Sequence, residues 1–159
     1  MRKWIVGGAS VAVVALIGLV ATLVLFRGST RFDDRAYPGS SWGETPDEVF
    51  TDFAITLPEC TDGRMRYWTG KSELYLKIAA PPTCIGEFIE VNRLKGSPPG
   101  IQGPVALVNS AKRADEFGWQ SSADHSYTRY RREEKNVETQ AMADDAADER
   151  SLFLNAWHQ

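Results

Sequence analysis

The chain is poor in the residues that most often carry chemistry. It holds two cysteines, two histidines and three methionines in 159 residues. Zinc sites usually take three or four ligands from His, Cys and carboxylates. If Cys60 and Cys84 are bridged, His125 and His158 leave such a site short of ligands, and both read as exposed strand-end residues. There is no phosphate-binding loop. Gly70-Lys71-Ser72 has the end of one, but the glycine required five residues earlier is Met65. No nucleophile-elbow pattern surrounds a serine. Ser121, Asp124 and His125 are close in sequence, and sequence neighbours rarely make triad geometry. Asp144, Asp145, Asp148 and Glu149 crowd together without the spacing of a calcium loop and read as a solvated hairpin tip. The expectation is a chain with no cofactor and no enzymatic activity.

Strong positive charge is also missing. There are 18 Lys and Arg against 21 Asp and Glu, a net charge of −3. Setting aside Arg2 and Lys3 makes the remainder more acidic still. This argues against nucleic acid or anionic headgroups as the main partner. The mixed stretch Tyr127, Arg129, Tyr130, Arg131 and Arg132 would suit an acidic polymer. Glu133 and Glu134 follow directly, so it reads instead as an exposed strand whose charges discourage edge pairing.

Long hydrophobic runs are absent with one exception. Trp4 to Phe26 is apolar throughout, with Ser10 and Thr22 as its only hydroxyl groups. As a helix, these 23 residues are about 34 Å long, enough for a hydrocarbon core about 30 Å thick. A cleaved signal peptide has a shorter apolar stretch and ends at a small-x-small site. Here the run meets Arg27, Gly28 and Ser29 with no such site and no lipid-carrying cysteine. An uncleaved anchor is therefore expected. The division is 1–3 as a cytoplasmic tail, 4–26 as a transmembrane helix, 27–45 as a flexible tether and 46–159 as one extracytoplasmic domain. Orientation rests weakly on flanking charge, because Arg2 and Lys3 face Arg27, Arg31 and Arg35. The two cysteines favour an outer, oxidising location for the domain.

Turn residues and low hydrophobicity mark the tether, with Tyr37 and Trp42 as isolated aromatics. Thr45, Pro46 and Glu48 have the form of a capped helix start. Phe53, Ile55 and Leu57 alternate like a strand, Met65 to Trp68 forms a second, and Leu74, Leu76 and Ile78 a third. Pro81 and Pro82 stop that strand. Thr83 to Leu94 reads as a helix with Ile85, Phe88, Ile89 and Val91 on its apolar side. A loop follows over Lys95 to Pro104. Val105 to Val108 is a short strand candidate, and Ser110 to Phe117 a helix stopped by Gly118. Ser126 to Met142 and Leu152 to Trp157 form a long terminal hairpin. The fold class is α+β, a small antiparallel sheet packed with one or two helices.

Cys60 ends the first expected strand region and Cys84 opens the helix. An even pair outside the membrane reads as a disulfide. The segments Ile55-Thr56-Leu57-Pro58, Leu74-Tyr75-Leu76-Lys77, Phe88-Ile89, Gly118-Trp119 and Leu152-Phe153-Leu154 resemble a group of uncharacterised single-pass membrane proteins of Streptomyces-type actinobacteria. The resemblance implies an envelope location and no reaction.

The functional expectation is a membrane-anchored, non-catalytic interaction domain at the cell envelope, contacting a protein or wall partner. Two alternatives stay open: a ligand-binding or enzymatic site assembled only in three dimensions, and a cytosol-facing accessory subunit. Gly8, Ala12, Ala15, Gly18 and Thr22 line one face of the anchor, and small faces let helices approach closely. A plain tether accounts for them; a homodimer or partner helix is the alternative. On that alternative, Gly8→Ile with Ala12→Ile weakens association in a membrane two-hybrid assay, and an unchanged signal leaves the plain tether.

Overall fold

A computed structural model describes residues 33–41, 45–97, 101–102, 111–119, 124–145 and 149–159. The expected spanning helix and its small-residue face lie outside these residues, as do Val105 to Val108. Among the described residues, no helix is long and apolar enough to cross a membrane.

The domain is α+β, as its patterning implied. Helix α1 (Pro46–Asp52) precedes a single 3-10 turn, Glu59–Thr61. Then come β1 (Met65–Thr69), β2 (Glu73–Ala80), α2 (Pro82–Val91), β3 (Lys95–Gly96), β4 (Ile101–Gln102) and α3 (Ala111–Glu116). Three long strands close the chain: β5 (Ser126–Glu134), β6 (Val137–Asp144) and β7 (Arg150–His158). All seven strands join one antiparallel sheet in the order β1-β2-β7-β6-β5-β3. β4 continues the outer edge beside β5, pairing Ile101 with Tyr127. The last strand thus sits at the centre, paired with β2 on one side and β6 on the other.

The terminal hairpin expected from Ser126 onward is a three-stranded meander. Lys135 and Asn136, both at positive φ (51° and 65°), reverse the chain between β5 and β6. Two consecutive left-handed residues suit the twist of a two-residue hairpin. The dipeptide is not the Asn-Gly that usually announces such a turn, so the strand content of 126–142 read as continuous.

The expected strand at Phe53 to Leu57 does not form. Phe53 and Ile55 are buried and Leu57 half-buried, so the alternation reports inward-facing side chains. The backbone goes elsewhere. Phe53 caps α1, and Ala54 turns left-handed at φ 53°. Ala54 N–H donates to Thr51 O and Ile55 N–H to Phe50 O, the paired bonds that close a helix C-terminus. Thr56 has no ladder partner. Its N–H donates to Asn92 Oδ1 and its C=O accepts from Asn92 Nδ2, both at 2.8 Å. One side-chain amide thus replaces a neighbouring strand.

α2 begins a residue earlier than expected and ends sooner. Pro82 occupies its first turn and Asn92 caps it, with Arg93 left-handed at φ 52°. Cys84, Ile85 and Phe88 are buried against the sheet. Val91, expected on the apolar side, is exposed. The helix-facing core joins Val49, Phe50, Phe53, Ile85 and Phe88 to Leu74, Leu76, Ile78, Leu152 and Leu154.

Residues 33–41 depart from the expected tether. They run beside β1, with a parallel bridge between Ala36 and Tyr67. Tyr37 N–H donates to Tyr67 O and Ser41 N–H to Thr69 O, both at 2.7 Å, and Tyr67 N–H returns a bond to Arg35 O. An open strand edge is a liability, and this strap occupies that of β1.

Arg132 draws the helices onto the sheet. It lies on β5 and is 9% exposed. Its Nη1 donates to Ala54 O and Asn92 O, and its Nη2 to Phe53 O and Thr139 Oγ1. The carbonyls come from the C-terminal ends of both α1 and α2, where a cation opposes the helix dipole. Replacing Arg132 with Met leaves these carbonyls buried without donors, so Arg132→Met should cost about 3 kcal/mol in urea unfolding. A loss below about 1 kcal/mol contradicts this role.

Candidate functional site

The sheet has a second face that the two long helices do not cover. Alternation along β1, β2, β6, β7 and β5 places Trp68, Tyr75, Met142, Phe153 and Tyr127 there. Phe117 and Trp119, just after α3, pack on this face, and Tyr37 joins them from the strap. Tyr37 stacks on Phe117 with centroids 4.6 Å apart. Trp119 lies 5.3 Å from Phe153 and 6.0 Å from Tyr75. Trp68 meets Tyr75 edge-on at 5.7 Å. Such pairs are worth about 0.5–1.5 kcal/mol each beyond burial. Gly70 serves this layer, because a Cβ there would come within 2.7 Å of the Trp68 ring.

Cations sit over three rings of this layer. Arg66 lies 4.6 Å from the Tyr37 centroid, Lys77 5.5 Å from Phe153, and Arg113 4.3 Å from Trp68. The indole N–H of Trp119 is buried with no hydrogen-bond partner among the described residues. The face therefore combines a dry aromatic layer with positive charge, on a chain that is acidic overall.

Cys60 and Cys84 are joined as expected, with Cα atoms 5.9 Å apart. The bond ties the 3-10 turn to the start of α2 and is worth about 3 kcal/mol in the chain-entropy account. The histidines do stand at strand ends, but both are half-buried and paired. His125 Nδ1 lies 2.6 Å from Asp144 Oδ2, and His158 Nε2 lies 3.0 Å from Asp52 Oδ2. His125 thus pairs with Asp144 across the β5–β6 pair; Ser121 falls outside the described residues. The acidic cluster is only partly a solvated tip: Glu149 is exposed, but Asp144 is not. Asp144 is buried on β6, Asp145 accepts from the Thr128 hydroxyl at 2.8 Å, and Glu149 reaches Arg64 at 3.5 Å. Asp148 lies outside the described residues. Among the described residues, no three His, Cys, Asp or Glu side chains converge as metal ligands.

The aromatic-basic stretch of β5 divides by face. Tyr127 enters the aromatic layer, Tyr130 packs on the helix-side core, and Arg132 is buried. Only Arg129 and Arg131 are exposed. β5 is flanked by β6 on one side and by β3 and β4 on the other, so edge protection is not its role. Gly70-Lys71-Ser72 is the tight turn between β1 and β2, closed by Gly70 N–H donating to Glu73 O. The aromatic layer escaped sequence reading because Tyr37, Trp68 and the Phe117–Trp119 pair come from three separate segments. The available signal was the number of large aromatics left over once one core face had been filled.

Comparison with known proteins finds no match to any family, curated protein or solved structure. The site therefore stands on its own geometry.

Two phenols, Tyr67 in the helix-side core and Tyr75 in the aromatic layer, are buried. Burial, with Asp33 beside it, pushes Tyr67 up to about 12; burial, with Glu73 beside it, does the same for Tyr75. Burial would raise Asp33, but hydrogen bonds and charge from Arg35 outweigh it and hold the carboxyl below its usual range. A phenol held protonated by the fold contributes stability that is complete below its unfolded value near 10. That contribution is lost as pH rises toward 12. Absorbance at 295 nm should show Tyr67 and Tyr75 ionising near pH 12, together with unfolding. Ionisation of every tyrosine near pH 10 with the fold intact contradicts this account.

Proposed function

We propose that this chain is a membrane-anchored extracytoplasmic protein whose domain is a non-catalytic interaction module at the cell envelope. The Cys60–Cys84 bond carries the reading, because disulfides persist in oxidising compartments and are rare in the cytosol. The apolar run from Trp4 to Phe26 supplies the anchor, with the amino terminus inside. The envelope location implied by the resemblance to Streptomyces-type membrane proteins agrees with this. The bilayer holds the chain through its first helix, and an envelope protein is the proposed partner of the domain. Nucleic acid is not a partner on this reading.

Protease protection decides the topology. In intact cells, added protease should digest the domain without permeabilisation, and alkylation without reductant should leave Cys60 and Cys84 unmodified. A domain protected until the membrane is opened, with both thiols alkylated, would place it in the cytosol and overturn the reading.

A further inference from the structure

Arg66 on β1 and Lys77 on β2 are directly opposite each other in the sheet register. Both project from the face that carries the aromatic layer. Like charges in that position destabilise a strand pair, so a pair without compensation asks for a reason. Neither forms an ion pair among the described residues. Their neighbours on this face do: Arg64 has Glu149, Arg113 has Glu116 and Arg131 has Glu138. Arg129 stands in the same cross-sheet row, three strands beyond Lys77.

Each of the two cations is held in place without being neutralised. Arg66 rests over Tyr37 at 4.6 Å and Lys77 over Phe153 at 5.5 Å. A ring face attracts a cation but removes none of its charge. It also restricts a long side chain before any ligand arrives, which lowers the ordering cost of binding. Arg66 is exposed and Lys77 half-exposed, so both heads reach solvent. Ser151, half-buried on β7 and diagonal to Lys77, adds a hydroxyl nearby.

We propose that Arg66 and Lys77 form a binding site for a phosphate-type oxyanion. The guanidinium can make two parallel bonds to neighbouring oxygens, and the ammonium supplies a compact second charge. Two adjacent positive charges match the −1.5 to −2 of a phosphate monoester at about pH 7. The anion relieves the repulsion across β1 and β2 and is discriminated from chloride by the Arg66 fork. Tyr37 belongs to the strap, so occupancy also tightens the strap on the β1 edge. The site does not depend on the membrane reading.

The test uses the full chain in two arms. In neutral detergent micelles, inorganic phosphate is titrated against chloride at matched ionic strength, with the NMR shift of the Tyr37 amide, present in every variant, as the readout. In nanodiscs, a neutral phospholipid is compared with one containing a third anionic phospholipid, with hydrogen exchange of residues 65–69 as the readout. A saturable shift, or slower exchange, that weakens at least tenfold in Arg66→Gln with Lys77→Gln and persists in Arg129→Gln supports the site. A response to phosphate identifies a soluble ligand; a response confined to anionic nanodiscs identifies a headgroup. The double variant without ligand should unfold cooperatively near the wild-type temperature, because relief of the repulsion offsets the lost contacts to Tyr37 and Phe153, so a lost response is not a lost fold. No saturable response in either arm, or equal responses in wild type and double variant, overturns the proposal.

Discussion

One buried guanidinium organises the helix side of this domain. Arg132 meets the carbonyl ends of α1 and α2 together, and those ends lie on chain segments separated by the disulfide turn and two strands. Burial lowers its proton affinity, Glu134 supports its charge, and nearby Arg93 opposes it. The interaction is possible because both helices end in left-handed residues, Ala54 and Arg93, which turn their final carbonyls inward. Neither residue is glycine, so each conformation costs about 1 kcal/mol that the surrounding contacts must offset. Asn92 completes the arrangement by holding Thr56 at both its backbone groups. Helices, turn and sheet are thus joined by two polar side chains, Arg132 and Asn92, with the buried Thr139 hydroxyl accepting from Arg132.

With the helices committed to one face, the sheet still has another to cover. Among the described residues, that face is filled by large aromatics from the strap, the segment after α3 and the strands. Aromatic rings cover area efficiently where few residues are available. They also provide platforms for Arg66, Lys77 and Arg113, so the layer that closes the fold presents charge at its rim. Two buried clusters, one on each face, are therefore separated by a single layer of backbone.

The strands β1, β2 and β7, the capped start of α1, and the disulfide were legible because their signals are local. Alternation of period two reports a half-covered strand. Thr45 and Glu48 make the reciprocal bonds their spacing implies. β7 reads apolar on both faces, and it lies between the two cores. The failures share a different cause. Phe53 to Leu57 alternates without being a strand because Asn92, 36 residues from Thr56, supplies its hydrogen bonds. Asp144 looked like part of a solvated turn because its partner, His125, is reached only across the β5–β6 pair. Residues 33–41 looked like a tether because their polar composition conceals backbone pairing to β1.

Sequence alone determined the α+β class, the cysteine pair and the presence of one apolar run long enough to span a bilayer. Each follows from composition or from periodicity over a few residues. Tertiary structure decided that the final strand lies at the centre, that Arg132 points inward while Arg131 points out, and that Arg66 faces Lys77. Those facts depend on register between distant segments. A side chain's environment in a sheet is set by the strand beside it, and that strand is chosen by the whole chain folding together.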